Sequence, residues 1–334
     1  MSLFLFVALA VAPGTVPAAF DSVTVPIKEW NVPWEKTRPR DPAVAPDGKI
    51  FFVGQVGNYI ARLDPVSGEF KRFEIDSGTN PHNVVVDAKG NAWFAGNRNG
   101  MIGKLDPATG KITRYPMPDP ALRDPHTIII DPQGNLWFTA QTSNFVGHLN
   151  TSTGKISLVK MTTPNARPYG IVLDNEGRPY FDLFGTNKIG TIDPKTMELR
   201  EYQLPAERAR PRRIARTSDG QIWYVDYSRG YLGRLDPRTG AVKEWANPGG
   251  PASLPYAMTS DDADRLWFVE TGVQPNRMVG FDPKTESFFS ITAIPSGGGT
   301  VRYMVFDKKT RQIWFGSDNN TIGRATVPPA KLTT

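Results

Sequence analysis

Residues 81–110 read PHNVVVDAKGNAWFAGNRNGMIGKLDPATG, and the order of signals in that stretch decides the fold. Pro81 opens a short apolar run ending at Val86, Gly90 closes a turn, and Trp93-Phe94 form an aromatic pair. Ile102-Gly103 lead a third run, and Asp106-Pro107 with Thr109-Gly110 make a second turn. Asp starts such a turn by accepting local N–H groups, Pro fixes φ, and Gly supplies the positive φ that closes it. The apolar runs are too short and too strongly punctuated for helices, and no segment of the chain sustains a 3.6-residue apolar period.

The same order recurs along the whole chain. The slot of Gly90 is filled by Gly48, Gly134, Gly177 and Gly220, and by Asp264 and Thr310 in two degenerate copies, so the spacing is 42 to 46 residues. The aromatic slot holds Phe51-Phe52, Trp93-Phe94, Trp137-Phe138, Tyr180-Phe181, Trp223-Tyr224, Trp267-Phe268 and Trp314-Phe315. Asp-Pro turns follow at Asp64, Asp106, Asp193, Asp236 and Asp282, with Asn150-Thr151 in the remaining copy. A period of this length marks a repeat architecture in which one unit cannot bury its own apolar faces. Four strands per unit, stacked around an axis so that each aromatic pair packs on its neighbours, make an all-β, seven-bladed β-propeller.

The seventh unit stops at Ile322-Gly-Arg-Ala-Thr326 without a fourth strand. Residues 23–32 look like a fourth strand with no unit before it, and Lys28-Glu-Trp30 matches Lys243-Glu-Trp245. The N-terminal strand is therefore expected to complete the last blade, which removes exposed edges.

Composition narrows the function classes. The chain of 334 residues holds 31 Gly, 30 Pro and 8 Trp, as many short strands and tight turns require. It has no Cys, which excludes disulfides, a thiolate nucleophile and Cys-ligated metal. Residues 3–12 are an apolar run too short to span a bilayer, followed by Val16-Pro-Ala18. Residues 1–19 read as a signal peptide cut after Ala18 or Ala19, although no Lys or Arg precedes the run. The expected domain is then one propeller over residues 20–334, periplasmic or secreted, monomeric, with no membrane span after cleavage. The net charge of +6 is modest. Its one dense basic stretch, Arg208, Arg210, Arg212, Arg213 and Arg216, covers a loop and an inner strand, so its side chains diverge and no nucleic-acid partner is expected.

The residue after each leading Pro sits where one end of the channel is expected to open. These positions are Arg40, His82, His126, Tyr169, Arg212, Tyr256 and Arg302, all capable of hydrogen bonding. A second ring follows the aromatic pairs: Gln55, Asn97, Gln141, Phe184, Asp226, Tyr227, Glu270 and Asp318. His82 and His126, two of only three histidines, occupy adjacent blades and could share a proton relay, a metal or a carboxylate. His148 fills a slot held elsewhere by Lys104, Arg234 or Arg324 and is expected at the surface. The chain lacks a GxSxG elbow, a Walker loop, a strand-linked GxGxxG and an EF-hand loop, and no organic cofactor is expected.

Asn135-Leu-Trp-Phe-Thr139, Ala166-Arg-Pro-Tyr-Gly170, Asn187-Lys-Ile-Gly190 and Ile112-Thr-Arg-Tyr-Pro-Met-Pro118 resemble the repeats of the streptogramin B (virginiamycin B) lyases. The resemblance spans all seven units, about residues 23 to 327. It implies opening of a cyclic ester by elimination, with a histidine removing an α-proton and magnesium held near glutamates. The family's catalytic histidine belongs to a Pro-His-Gly motif in the last unit, where this chain has Arg302. The family's later catalytic glutamate aligns with Asp318, which the resemblance makes a catalytic candidate beside His126, His82 and Arg302.

Two classes of function follow. One is a lyase or a lactonase-type hydrolase on an ester or lactone. There His126 or His82 is the base, Arg302 or Arg212 polarises the carbonyl, and Asp318 or Glu270 holds a divalent cation, Mg or Ca. The other is a non-catalytic module binding an anionic small molecule or a protein. Arg40, Tyr169, Arg212, Tyr256, Gln141 and Asn97 are the expected contacts to the ligand.

Overall fold

The computed structural model describes residues 22–329; the signal-peptide reading of residues 1–19 lies outside them. Seven antiparallel four-stranded sheets make up the described chain, each with its strands hydrogen-bonded in order from the axis outward, and no helix occurs among the described residues. In the second blade the strands are Pro81–Val86, Ala92–Gly96, Met101–Leu105 and Ile112–Pro116. The turn after the first is built as its sequence dictates: Asp87 Oδ1 accepts the N–H of Lys89 and of Asn91, both at 2.9 Å, and Gly90 takes φ 84°.

The last blade is closed by the N-terminal strand. Ile27–Asn31 pairs antiparallel with Thr321–Thr326, which continues through Gln312–Ser317 to the inner strand Val301–Asp307. Trp30 stacks on Trp314 with ring centroids 5.5 Å apart, so closure buries an aromatic pair as well as an edge.

The core lies between blades rather than inside them. Trp93 faces the third blade, packing with Ile128 and Phe138, whereas Phe94 faces the first, packing with Val53 and Ile60. Each such ring buries about 150–250 Å², a hydrophobic contribution of about 4–6 kcal/mol before ordering entropy is set against it. The glycine of the third strand makes this possible. A Cβ on Gly103 would stand 2.1 Å from the Phe94 ring, and the same holds for Gly147 against Phe138 and Gly233 against Tyr224.

One irregularity positions the site. Every inner strand shifts register near its start, in six blades just after the first residue, as between Pro125 and Ile128 or between Pro211 and Arg213, and in the first blade between Arg40 and Ala43. Such a bulge breaks the alternation of faces and bends the strand. Two consecutive residues of each blade are thereby brought towards the axis, in two stacked layers.

Candidate functional site

The outer layer is the ring expected from the sequence, and it does converge. The His82 and His126 ring centroids are 3.6 Å apart, and His126 lies 4.1 Å from Tyr169. The Tyr169 and Tyr256 hydroxyls are hydrogen-bonded to each other. The Arg212 guanidinium sits 3.8 Å over the Tyr256 ring and 4.2 Å over Tyr227, with Phe184 and Tyr169 completing its aromatic surround. Arg302 lies 5.8 Å from the Tyr256 ring, and Arg40 Nη1 donates to Gln55 Oε1 at 3.1 Å.

The expectation of an open mouth is corrected by burial. Arg40, His82, His126, Tyr169 and Tyr256 are each at most 6 % exposed. These long side chains fill the channel end, and Arg212 and Arg302 are the half-buried members facing outward.

The second ring splits. Gln55, Phe184 and Tyr227 pack on the outer layer, and Asn97 Nδ2 donates to the Pro125 carbonyl at 3.2 Å. Asp226 turns into its own blade, accepting from Arg210 N–H at 2.9 Å and from Arg229 at 3.1 Å. Gln141 is half-buried and makes no hydrogen bond to a ring residue among the described residues. His148, expected at the surface, is instead half-buried over Trp137 at 4.5 Å, where Lys104 lies over Trp93 and Arg234 over Trp223.

The inner layer escaped the sequence reading. It consists of Asp41, Asn83, Thr127, Gly170, Arg213, Ala257 and Tyr303, and Arg213 crosses the axis within it. Arg213 Nη1 donates to Thr127 Oγ1 at 2.9 Å and Nε to the Arg302 carbonyl at 3.1 Å, while Nη2 stands 3.7 Å from Asp41 Oδ2. Asp41 also receives Arg40 Nε at 2.9 Å and Asn83 Nδ2 at 3.0 Å. Asp182, wholly buried, accepts the Gly170 N–H at 3.1 Å, and the glycine is required because a Cβ there would meet Asp182 Oδ2 at 2.5 Å.

This crowding of guanidiniums governs protonation. Burial, with Arg213, Arg40 and Arg212 around it, holds His126 well below the usual imidazole range. His82 is lowered likewise, by burial and then by Arg40, His126 and Arg213. Both are therefore neutral at neutral pH and weak bases. Burial raises Asp182 well above the carboxylate range, against the pull of Arg213 and the Gly170 N–H. Tyr256 goes the other way: burial opposes its ionisation, but Arg212, Arg40, Arg213 and Arg302 outweigh it and bring the hydroxyl down to about 8. Tyr169, its partner, is raised by burial and by Tyr256 itself.

The two carboxylates expected to hold a cation are engaged elsewhere. Glu270 is wholly buried, with Oε2 receiving Arg277 Nη2 at 2.5 Å and Oε1 receiving Gly249 N–H at 2.7 Å. Asp318 forms a bidentate pair with Arg302, at 3.1 and 2.5 Å. No group of three His, Asp or Glu side chains suited to a metal occurs among the described residues. All four oxygens already accept from arginine or backbone donors, so the residues present do not fit a bound divalent cation.

The chain is thus a seven-bladed propeller whose axis is closed at one end by arginine, histidine and tyrosine. It belongs to the virginiamycin B lyase family, whose model matches residues 25–325. Its fold is similar to a streptogramin B lyase structure at TM-score 0.82 and 27 % identity, covering 93 % of this chain and 100 % of that one. It is also similar to a catalytically inactive virginiamycin B lyase from Staphylococcus aureus with quinupristin, at TM-score 0.81 and 24 % identity over 91 % of this chain and 99 % of that one. A third likeness is to the extracellular domain of a hybrid two-component system from B. thetaiotaomicron. Its TM-score is 0.68 at 18 % identity, over 92 % of this chain and 44 % of the other. No curated protein sequence matches this chain.

Proposed function

We propose that this protein is an exported carbon–oxygen lyase that opens an anionic ester or lactone by elimination, with Tyr256 as the base. The observation that carries this reading is the Tyr256 hydroxyl, bonded to Tyr169 and faced by Arg212, Arg40, Arg213 and Arg302. A general base works best when its pKa lies near the operating pH, and a phenolate near 8 meets that condition where the buried imidazoles do not.

In the proposed step, Tyr256 Oη takes the proton α to the substrate carbonyl. The C–H electron pair forms the Cα=Cβ bond, the Cβ–O bond breaks, and the ester leaves as a carboxylate. The proton passes from Tyr256 through the Tyr169 hydroxyl back to solvent. Arg302, at the family's histidine position, and Arg212 stabilise the enolate and the departing carboxylate, since fixed cations in a dry site act strongly on developing charge. Substrate reaches Tyr256 when Arg302 leaves Asp318, whose pair is the solvent-facing part of the closure.

Burial of Arg40, His82, His126, Tyr169 and Tyr256 favours a second reading, in which the closed end only binds an anion on the half-buried Arg212 and Arg302 without turnover. Incubation with quinupristin and with simpler anionic β-acyloxy esters, followed by mass spectrometry and ultraviolet detection of the new conjugated alkene, separates the two. The lyase reading expects the alkene from at least one ester, with Tyr256→Phe lowering kcat/KM by about 10²–10⁴. Binding of esters without any mass change supports the second reading and contradicts the first.

A further inference from the structure

The other end of the axis carries a feature that the closed ring does not use. A cavity of about 1000 Å³ lies over the far ends of the inner strands of the seventh, first and second blades. Its apolar wall includes Val84, Val86, Val305 and Phe306.

Lys308, Lys309 and Arg324 stand on this cavity, and none of them has a carboxylate partner among the described residues. The acids nearby are committed. Asp47 and Asp64 lie 3.9 and 3.8 Å from Lys49, and Asp87 receives Asn91 and the Trp93 indole. Asp307 accepts the Lys309 N–H at 3.0 Å and the Thr310 hydroxyl at 2.5 Å.

A second observation comes from the repeat itself. The indole N–H of Trp93, Trp223 and Trp267 donates at 2.9, 3.1 and 2.9 Å to Asp87, Thr217 and Asp261, each six residues earlier. In the seventh blade the turn is one residue longer, and Asp307 is spent inside it. Trp314 and Arg324 both line the cavity, and the Trp314 indole N–H and Arg324 Nε behind its surface are buried without a partner. Buried donors left unpaired are costly, and in native proteins they call for an acceptor.

We propose that this cavity is a second ligand site, for a small amphipathic anion with a carboxylate or sulfonate head. The apolar body lies on the valines and Phe306, and the head takes Arg324 with Lys308 and Lys309 around it. The site stands at the opposite end of the axis from Tyr256, so it does not depend on the lyase reading.

The test is a fluorescence titration with 8-anilinonaphthalene-1-sulfonate at low ionic strength, with octanoate as competitor. The expected result is saturable one-to-one binding, displaced by octanoate and weakened at least tenfold in Lys308→Glu/Lys309→Glu. These two residues are exposed, so the variant keeps the fold. Arg324→Met, checked by circular dichroism, is expected to weaken binding as much. A control with the same charge change on exposed outer strands, Lys71→Glu/Lys160→Glu, is expected to leave it within twofold. Absence of saturable binding, or equal weakening by the control pair, overturns the proposal.

Discussion

Arg213 donates to the Thr127 hydroxyl at 2.9 Å although the two residues are 86 positions apart and belong to the fifth and third blades. One guanidinium on the axis therefore ties together blades that share no strand pairing, and through Asp41 and the Arg302 carbonyl it reaches the first and seventh as well. Arg213→Met removes these ties and leaves Asp41 buried with Arg40 as its one remaining cation. Breaking a buried charge pair on one side costs about 3–5 kcal/mol. Urea unfolding should show a loss of that order, and a loss below about 1 kcal/mol would show that the axis is held by blade packing alone.

The two buried histidines make stability fall on acidification. Their folded pKa values are depressed, so as pH drops through the unfolded value of about 6.5 the unfolded chain takes up protons that the native chain refuses. The expected slope below about pH 6 is about 1.4 kcal/mol per pH unit for each imidazole. Asp182, raised in the fold, acts with the opposite sign and stabilises as pH falls through its folded pKa. Thermal melts between pH 7.5 and 5 on wild type and His82→Gln/His126→Asn isolate the histidines. Equal slopes in the two proteins would contradict neutral, buried imidazoles.

Gly170 and Asp182 are coupled by contact. A methyl at residue 170 meets Asp182 Oδ2 at 2.5 Å and Arg213 Cα at 3.2 Å, so Gly170→Ala is expected to cost about 1–3 kcal/mol. In Gly170→Ala/Asp182→Ala the methyl finds room, and the double-mutant cycle should return a coupling above about 0.5 kcal/mol. Additive effects would mean that the backbone moves instead.

Closure by the N-terminal strand carries its own test. A chain beginning at residue 33 lacks Ile27–Asn31, which bares the edge of Thr321–Thr326 and uncovers Trp314. Exposed edges pair with other chains, so size-exclusion chromatography should find species larger than the full-length protein, and a peptide of residues 22–32 added in trans should restore the full-length protein's elution. Elution unchanged by loss of the strand would argue against closure.

The blades, their number and the closing strand were legible because turn chemistry and aromatic pairs recur at fixed spacing. Arg40, His82, His126, Tyr169, Arg212, Tyr256 and Arg302 were legible for the same reason, since each follows the first residue of its inner strand. The inner layer was not. Strict alternation puts consecutive residues on opposite faces of the blade, and only the register shift near the start of each inner strand brings Asp41, Thr127 and Arg213 to the axis. Arg213 looked like one member of a basic run, and Tyr256 like one polar side chain of seven. Neither role can be read until burial and the neighbouring guanidiniums are known. The pairing of Glu270 with Arg277, seven residues on, likewise depends on strand register that spacing alone does not give.

The ionisation of Tyr256 bears most directly on the account. Tyrosinate absorbance near 295 nm, followed from pH 6 to 11 on the folded protein, is predicted to show one early transition near pH 8 that disappears in Tyr256→Phe. If no tyrosinate forms until above about pH 9.5, where an ordinary phenol begins to titrate, the guanidiniums do not poise Tyr256 as a base and the proposed elimination loses its proton acceptor.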